Sequence, residues 1–169
     1  MGFAKGKELE HNLMELHRLY SARDWGAVCK APEPVVITGR RGAKVWGRLS
    51  KQYWTDFFGY LKSRHGTIPV AGEAKESHND HGFRWSEVSD HQAQVLERTH
   101  HDGGVGWLWI RKMDGKVDHL ILAPEFALEA ASVRSTTWED LSKYQVKLHQ
   151  GWYKRATESA IRRGIWKRV

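Results

Sequence analysis

Cysteine is almost absent from this chain: Cys29 stands alone among 169 residues. A lone cysteine excludes an internal disulfide and a cysteine-built zinc site, and it fits a reducing, cytoplasmic setting. Cys29 itself lies in an apolar-flanked, strand-like run and is expected to be buried and inert. Long apolar runs are missing too. No stretch approaches the roughly 20 residues that a membrane-crossing helix needs. The opening segment MGFAKGKELEHNL is charged where a secretory signal has its apolar run, so export is not expected. There is no internal repeat, low-complexity run or obvious linker. A chain of this length has room for one ordinary domain that buries roughly two thirds of its unfolded surface.

What the chain does have is positive charge. Lys and Arg number 27 against 20 Asp and Glu, a formal net charge of +7, and the isoelectric point is near 9.6. Such a balance favours a polyanionic partner, nucleic acid first, because each cation set against a phosphate releases condensed counterions. A solvated basic face would give the same charge, so the motifs must decide. Nine Trp and a hydrophobic share of 40% are compatible with a packed core.

Leu9, Leu13, Leu16 and Tyr20 recur at offsets of four, three and four, one stripe of an amphipathic helix from about Lys5 to Ala22. Strands are expected at Ala27 to Lys30 and Val35 to Thr38, separated by Pro32 and Pro34, which cannot donate to a sheet ladder. From Gly39 to Lys51 the run carries Arg40, Arg41, Lys44, Arg48 and Lys51 with little core-forming periodicity, so a projecting loop or arm is expected at about 39–52. Tyr53 to Leu61 and Thr67 to Lys75 form a predicted hairpin, and Glu76 to Trp85 reads as irregular. Ser89 and Gln92 have the spacing of a capping box, opening a helix that ends near His101 before Gly103 and Gly104. Strands at Gly106 to Arg111 and Asp118 to Leu122 are joined by the Asp114-Gly115 turn, and Pro124 begins a short helix through Ala131. The expected order is α, β, β, β, β, α, β, β, α. The basic, Trp-rich remainder, 132–169, is expected to pack on the same domain and to hold a helix at about 152–163.

In Glu73-Ala74-Lys75 the strand period of two sets the carboxylate and the ammonium on one face. Asp56, on the strand expected to pair with this one at roughly 4.8 Å, brings a second carboxylate within reach of the same divalent ion. Hard oxygen ligands select Mg²⁺ or Mn²⁺. Phosphodiester hydrolysis needs a hydroxide near neutral pH and positive charge against the phosphate, which a carboxylate-held metal and a lysine supply. Each piece also has a plain reading. A Glu and a Lys two apart on a strand are usually a solvated pair, Asp56 can be a charge guarding a sheet edge, and Gln92 can serve only as a helix cap.

With these residues in view, the chain resembles the PD-(D/E)XK nucleases of restriction-endonuclease-like fold, and more narrowly the RecU family of Holliday junction resolvases, with a related layout in the archaeal Hjc resolvases. The resemblance rests on Gly6-Lys7-Glu8-Leu9-Glu10, Lys30-Ala31-Pro32-Glu33-Pro34-Val35, Thr55-Asp56-Phe57-Phe58-Gly59, Glu73-Ala74-Lys75-Glu76-Ser77, His91-Gln92 and Gly103-Gly104-Val105, in that order. It implies an α/β fold with a central mixed sheet flanked by helices, spanning a nuclease domain at 1–131. By resemblance Glu10, Asp56, Glu73 and Ala74 bind Mg²⁺ or Mn²⁺, Lys75 is catalytic, and Gln92 supports the site. Lys30 and Thr55, together with the basic residues of the arm, become expected DNA contacts. The implied enzyme is a homodimer of phage or bacterial origin that makes paired symmetric nicks in a four-way junction. Two departures stand out: Trp54 replaces a small hydroxylated residue, and the arm has an unfamiliar basic sequence. A PD-(D/E)XK nuclease of duplex or flapped DNA, or a structure-specific DNA binder without catalysis, remains as an alternative. The clusters His78, Asp80, His81 and His100, His101, Asp102 lack zinc-motif spacing and are expected at the surface. Trp107 and Trp109, alternating with Leu108 and Ile110, suggest a strand buried on both faces. Trp46 and Trp54 are the candidates for stacking on exposed bases.

Overall fold

The computed structural model describes residues 7–32, 35–49, 55–63 and 66–148. Helix α1 (Glu8–Ala22) buries Leu9, Leu13, Leu16 and Tyr20, the stripe expected from their spacing. It ends in a turn where Asp24 takes the left-handed conformation (φ 57) that its short side chain tolerates. There follow β1 (Gly26–Lys30), β2 (Val35–Arg41), β3 (Lys44–Leu49), β4 (Phe57–Ser63), β5 (Gly66–Ser77), β6 (Gly82–Arg84), α2 (Asp90–His101), β7 (Val105–Lys112), β8 (Val117–Leu122), α3 (Ala123–Ser132), β9 (Ser135–Thr137), α4 (Trp138–Leu141) and β10 (Gln145–Val146). The architecture is α/β. Six strands form one sheet in the order β1-β4-β5-β7-β8-β10, antiparallel at every neighbour pair except the parallel β5–β7. That mixed sheet, flanked by helices, is compatible with the restriction-endonuclease-like fold.

The sheet separates two apolar clusters. On one side α1 packs its leucines against Val28, Phe57, Leu61, Trp107 and Trp109. On the other, Leu96 of α2 and Phe126 of α3 meet Ala71, Leu108, Ile110 and Ile121. Strand β7 feeds both clusters and is buried from Val105 to Arg111, as a strand covered on both faces must be. Gly72 of β5 is needed for this packing, since a Cβ there would stand 2.0 Å from the Trp107 ring. Among the described residues no helix is long and apolar enough to cross a membrane.

Several expectations change. The expected loop or arm is, over its described residues as far as Leu49, a two-stranded ribbon, β2–β3, closed at Arg41↔Lys44 and forming a sheet of its own. With no main-sheet face to cover, the ribbon has no need of core periodicity. The irregular reading of Glu76 to Trp85 gives way to the end of β5, to β6, and to a one-turn 3-10 helix at Trp85–Glu87. β6 pairs with β9 (Phe83↔Thr136), and β10 adds a sixth strand through Gln145↔His119. The described part of the 132–169 region therefore covers the core, with Leu141 fully buried and Trp138 stacked on His119. The helix expected at 152–163 lies outside the described residues. Cys29 is exposed rather than buried. β1 is an edge strand, and its face away from α1, shared with Phe58 and Tyr60 of β4, is left partly open.

Candidate active site

The site forms where β4 begins alongside the middle of β5. Thr55 is 2% exposed and its hydroxyl donates to the Phe57 carbonyl at 3.0 Å, shaping the bend that leads into β4. Thr55, expected as a DNA contact, is buried in this bend. The Ala31 N–H donates to the Asp56 carbonyl at 2.7 Å, tying the bend to the chain just beyond β1. Phe57 pairs with Gly72, so Asp56 comes level with Glu73. The Ala74 N–H donates to Asp56 Oδ2 at 3.0 Å, and the Asp56 N–H donates to Glu73 Oε2 at 3.2 Å. Two carboxylates are thus latched together by main-chain donors.

Glu73 and Lys75 share one face of β5, paired in register with Leu108 and Ile110 of β7. Lys75 Nζ is 2.8 Å from Glu73 Oε1. Gln92, in the first turn of α2, reaches the same face: its Nε2 donates to Glu73 Oε1 at 2.5 Å, and its Oε1 accepts from Lys75 Nζ at 3.4 Å. The same Oε1 accepts from the Ser89 N–H at 3.0 Å, while the Gln92 N–H donates to Ser89 Oγ at 3.3 Å. Helix capping and contact with the carboxylate, alternatives in the sequence, occur together because a glutamine amide has donors and acceptors for both.

Burial is the main influence on Glu73, and the neighbouring Asp56 carboxylate acts in the same direction; Lys75 opposes them. The carboxyl is pushed up to about 8. Two carboxyl groups face one ammonium, with Glu73 1% and Asp56 8% exposed, so once Glu73 gives up its proton the site carries an excess of negative charge in a nearly dry setting. That excess, on hard oxygen atoms, fits a divalent cation such as Mg²⁺.

Glu10 goes to another partner. Its carboxylate is bonded by Lys30 Nζ, and Lys30 pairs with Phe57 on the α1 side of the sheet, the side away from Glu73 and Lys75. Among the described residues no group of three or more His, Cys, Asp or Glu side chains gathers to hold a metal ion. The structure therefore unites Asp56, Glu73, Lys75, Gln92 and the main chain of Ala74, and leaves Glu10 beside Lys30. The ribbon presents Arg40, Arg41 and Lys44 to solvent, with Trp46 51% exposed and lying against Gly39. The Arg48 side chain, Lys51 and Trp54 lie outside the description.

A family model described as Recombination protein U, RecU, matches residues 4–151. The chain belongs to the RecU family. No curated protein sequence gives a match. Membership in RecU places the chain among recombination proteins related to Holliday junction resolvases and supports an endonuclease in general. The latched pair Asp56–Glu73 with Lys75 is thus found in a RecU chain on the residues that the motifs single out. The Glu10–Lys30 ion pair escaped sequence reasoning, because it depends on how α1 packs on β1, which no local pattern contains.

Proposed function

We propose that this RecU chain is a divalent-metal-dependent endonuclease that resolves four-way DNA junctions in the cytoplasm by paired symmetric nicks, acting as a homodimer. One observation carries the reading: the carboxyl groups of buried Asp56 and Glu73 converge with the part-buried Lys75 ammonium and Gln92 amide on a single patch. Asp56, Glu73 and Ala74 would hold Mg²⁺ or Mn²⁺, while Glu10 stays with Lys30 on the other side of the sheet. Such an ion supplies a hydroxide near neutral pH and Lewis-acid polarisation of the phosphate.

The chain's own groups do the rest. Gln92 holds Glu73 Oε1 by hydrogen bond, and the Asp56 N–H holds Oε2, so the carboxylate plane is set before DNA arrives. Lys75 keeps an ammonium beside that carboxylate, where it faces a phosphate oxygen or orients the attacking water. Arg40, Arg41 and Lys44, with Arg48 and Lys51, lend the ribbon charge for DNA backbones, and Trp46 offers an exposed ring for an unstacked base.

The test is a synthetic four-way junction incubated with the protein and Mg²⁺, beside the Asp56→Asn variant and an equal concentration of linear duplex. Symmetric nicks that vanish in Asp56→Asn, with the junction retained against duplex, are the expected result. Equal cutting by both proteins removes Asp56 from the chemistry. Displacement by duplex removes junction selectivity.

A further inference from the structure

A glutamine side chain has two amide orientations of nearly equal shape, and at this site they are not equivalent. One presents Nε2 to Glu73, while the other sets a carbonyl oxygen against the Glu73 carboxylate. The group that chooses is outside the cluster of charges. The Ser89 N–H donates to Gln92 Oε1 at 3.0 Å, and because a main-chain donor cannot exchange roles, Oε1 must face Ser89 and Nε2 must face Glu73. Ser89 Oγ fixes the other end by accepting the Gln92 N–H at 3.3 Å. Lys75, at 3.4 Å from Oε1, is farther than Ser89 and follows the orientation rather than setting it.

We propose that Ser89 is a positioning residue of the RecU reaction, which, through the capping box of α2, presets the Gln92 amide so that Glu73 and Lys75 are aligned before DNA binds. The proposal rests on the function proposed above. Ser89 touches neither substrate nor the reacting atoms; it acts through Gln92 alone. Without it, Glu73 Oε1 loses a fixed neutral donor and keeps only Lys75, which is then drawn onto the carboxylate and away from the phosphate.

The backbone permits a sharp test. Ser89 has φ −69, inside the range proline requires, and Val88 has φ −99 and ψ 117, extended as a residue before proline prefers. Ser89→Pro removes both the N–H and the hydroxyl, Ser89→Ala removes only the hydroxyl, and Ser89→Thr keeps both. Single-turnover nicking of a four-way junction at saturating protein with Mg²⁺ is expected to fall about tenfold in Ser89→Pro and about threefold in Ser89→Ala, as expected when a catalytic group is misplaced by a fraction of an ångström. Ser89→Thr restores the rate to within about twofold of the starting protein. Junction affinity without divalent ions stays within about twofold throughout. In the Gln92→Ala background Ser89→Pro should cost nothing further, since both changes break one linkage.

A second readout needs no cleavage. With ¹⁵N-labelled glutamine, the Gln92 side-chain amide should give one distinct resonance pair that becomes doubled or exchange-broadened in Ser89→Pro. A Ser89→Pro rate equal to that of the starting protein, a loss undiminished in the Gln92→Ala background, or an unaltered Gln92 resonance pair overturns the proposal. If the unmodified chain fails to nick any junction, the proposed function falls, while the resonance still decides whether Ser89 orients Gln92.

Discussion

Two clusters of buried charge share the main sheet, and they are balanced differently. Arg111 and Asp118 stand opposite each other on β7 and β8 and are bonded twice, at 2.7 and 3.0 Å. Glu8 of α1 lies 3.9 Å from Arg111 and also accepts from Lys116 at 2.6 Å, so two carboxylates meet two cations. At the start of β4, Asp56 and Glu73 meet one cation, Lys75. The first cluster is balanced in charge and joins α1 to the β7–β8 hairpin. In the second, burial first and the neighbouring Asp56 carboxylate second raise the Glu73 carboxyl, against the opposing pull of Lys75.

The comparison can be broken most severely at the second cluster. Glu73→Gln should lower junction nicking by about a thousandfold or more, since it removes a metal-facing carboxylate. Above pH 8, where Glu73 is ionised beside Asp56, it should also raise the melting temperature measured without divalent ions, because two like charges no longer face each other. A melting temperature that falls would show that the pair is not repulsive. At the first cluster the signs reverse: Arg111→Ala should cost about 3–5 kcal/mol in urea unfolding by leaving Asp118 buried without its partner, with nicking per folded molecule changed less than about twofold.

Acidity sharpens the contrast further. Folded Glu73 keeps its proton up to about pH 8, against 4.5 for the free group, so between these values the folded chain binds more protons than the unfolded one. Its contribution to stability is full below pH 4.5 and fades as pH rises to 8. Burial lowers His17 to about 3 from 6.5, so there the unfolded chain binds more protons and stability fades as pH falls from 6.5. The two slopes oppose each other between pH 4.5 and 6.5. Denaturant unfolding without divalent ions should show a plateau there and lose about 1–2 kcal/mol between pH 6.5 and 8. Glu73→Gln should flatten the alkaline side, and so should Mg²⁺ added to the unaltered chain. The smallest effect is expected at the rim of the first cluster: Lys116, 60% exposed, should cost less than about 0.5 kcal/mol on change to alanine.

How much of this was legible depended on distance along the chain. The α1 stripe, the shared face of Glu73 and Lys75, the capping box at Ser89 and the doubly buried β7 are patterns within a few residues, and each appears in the structure. β6, β9 and β10 are three residues or shorter and pair across tens of residues, as Phe83 does with Thr136, so no local periodicity announces them. The ribbon of Arg40, Arg41 and Lys44 looked like a loop because it answers to no core. Cys29 looked buried because its neighbours are apolar, yet its exposure depends on which strands the helices leave uncovered. The resemblance puts Glu10 near the carboxylate pair, while its bond to Lys30 depends on how α1 packs on β1.

The ribbon departs from the sheet after β1 and returns at β4, two strands that are bonded to each other from Gly26↔Leu61 to Lys30↔Phe57. Its length and sequence can therefore drift without shifting the register that sets Asp56 against Glu73. Selection can retune the shape and charge of the ribbon while the paired carboxyl groups stay as they are, much as a tool's handle is refitted without regrinding the blade.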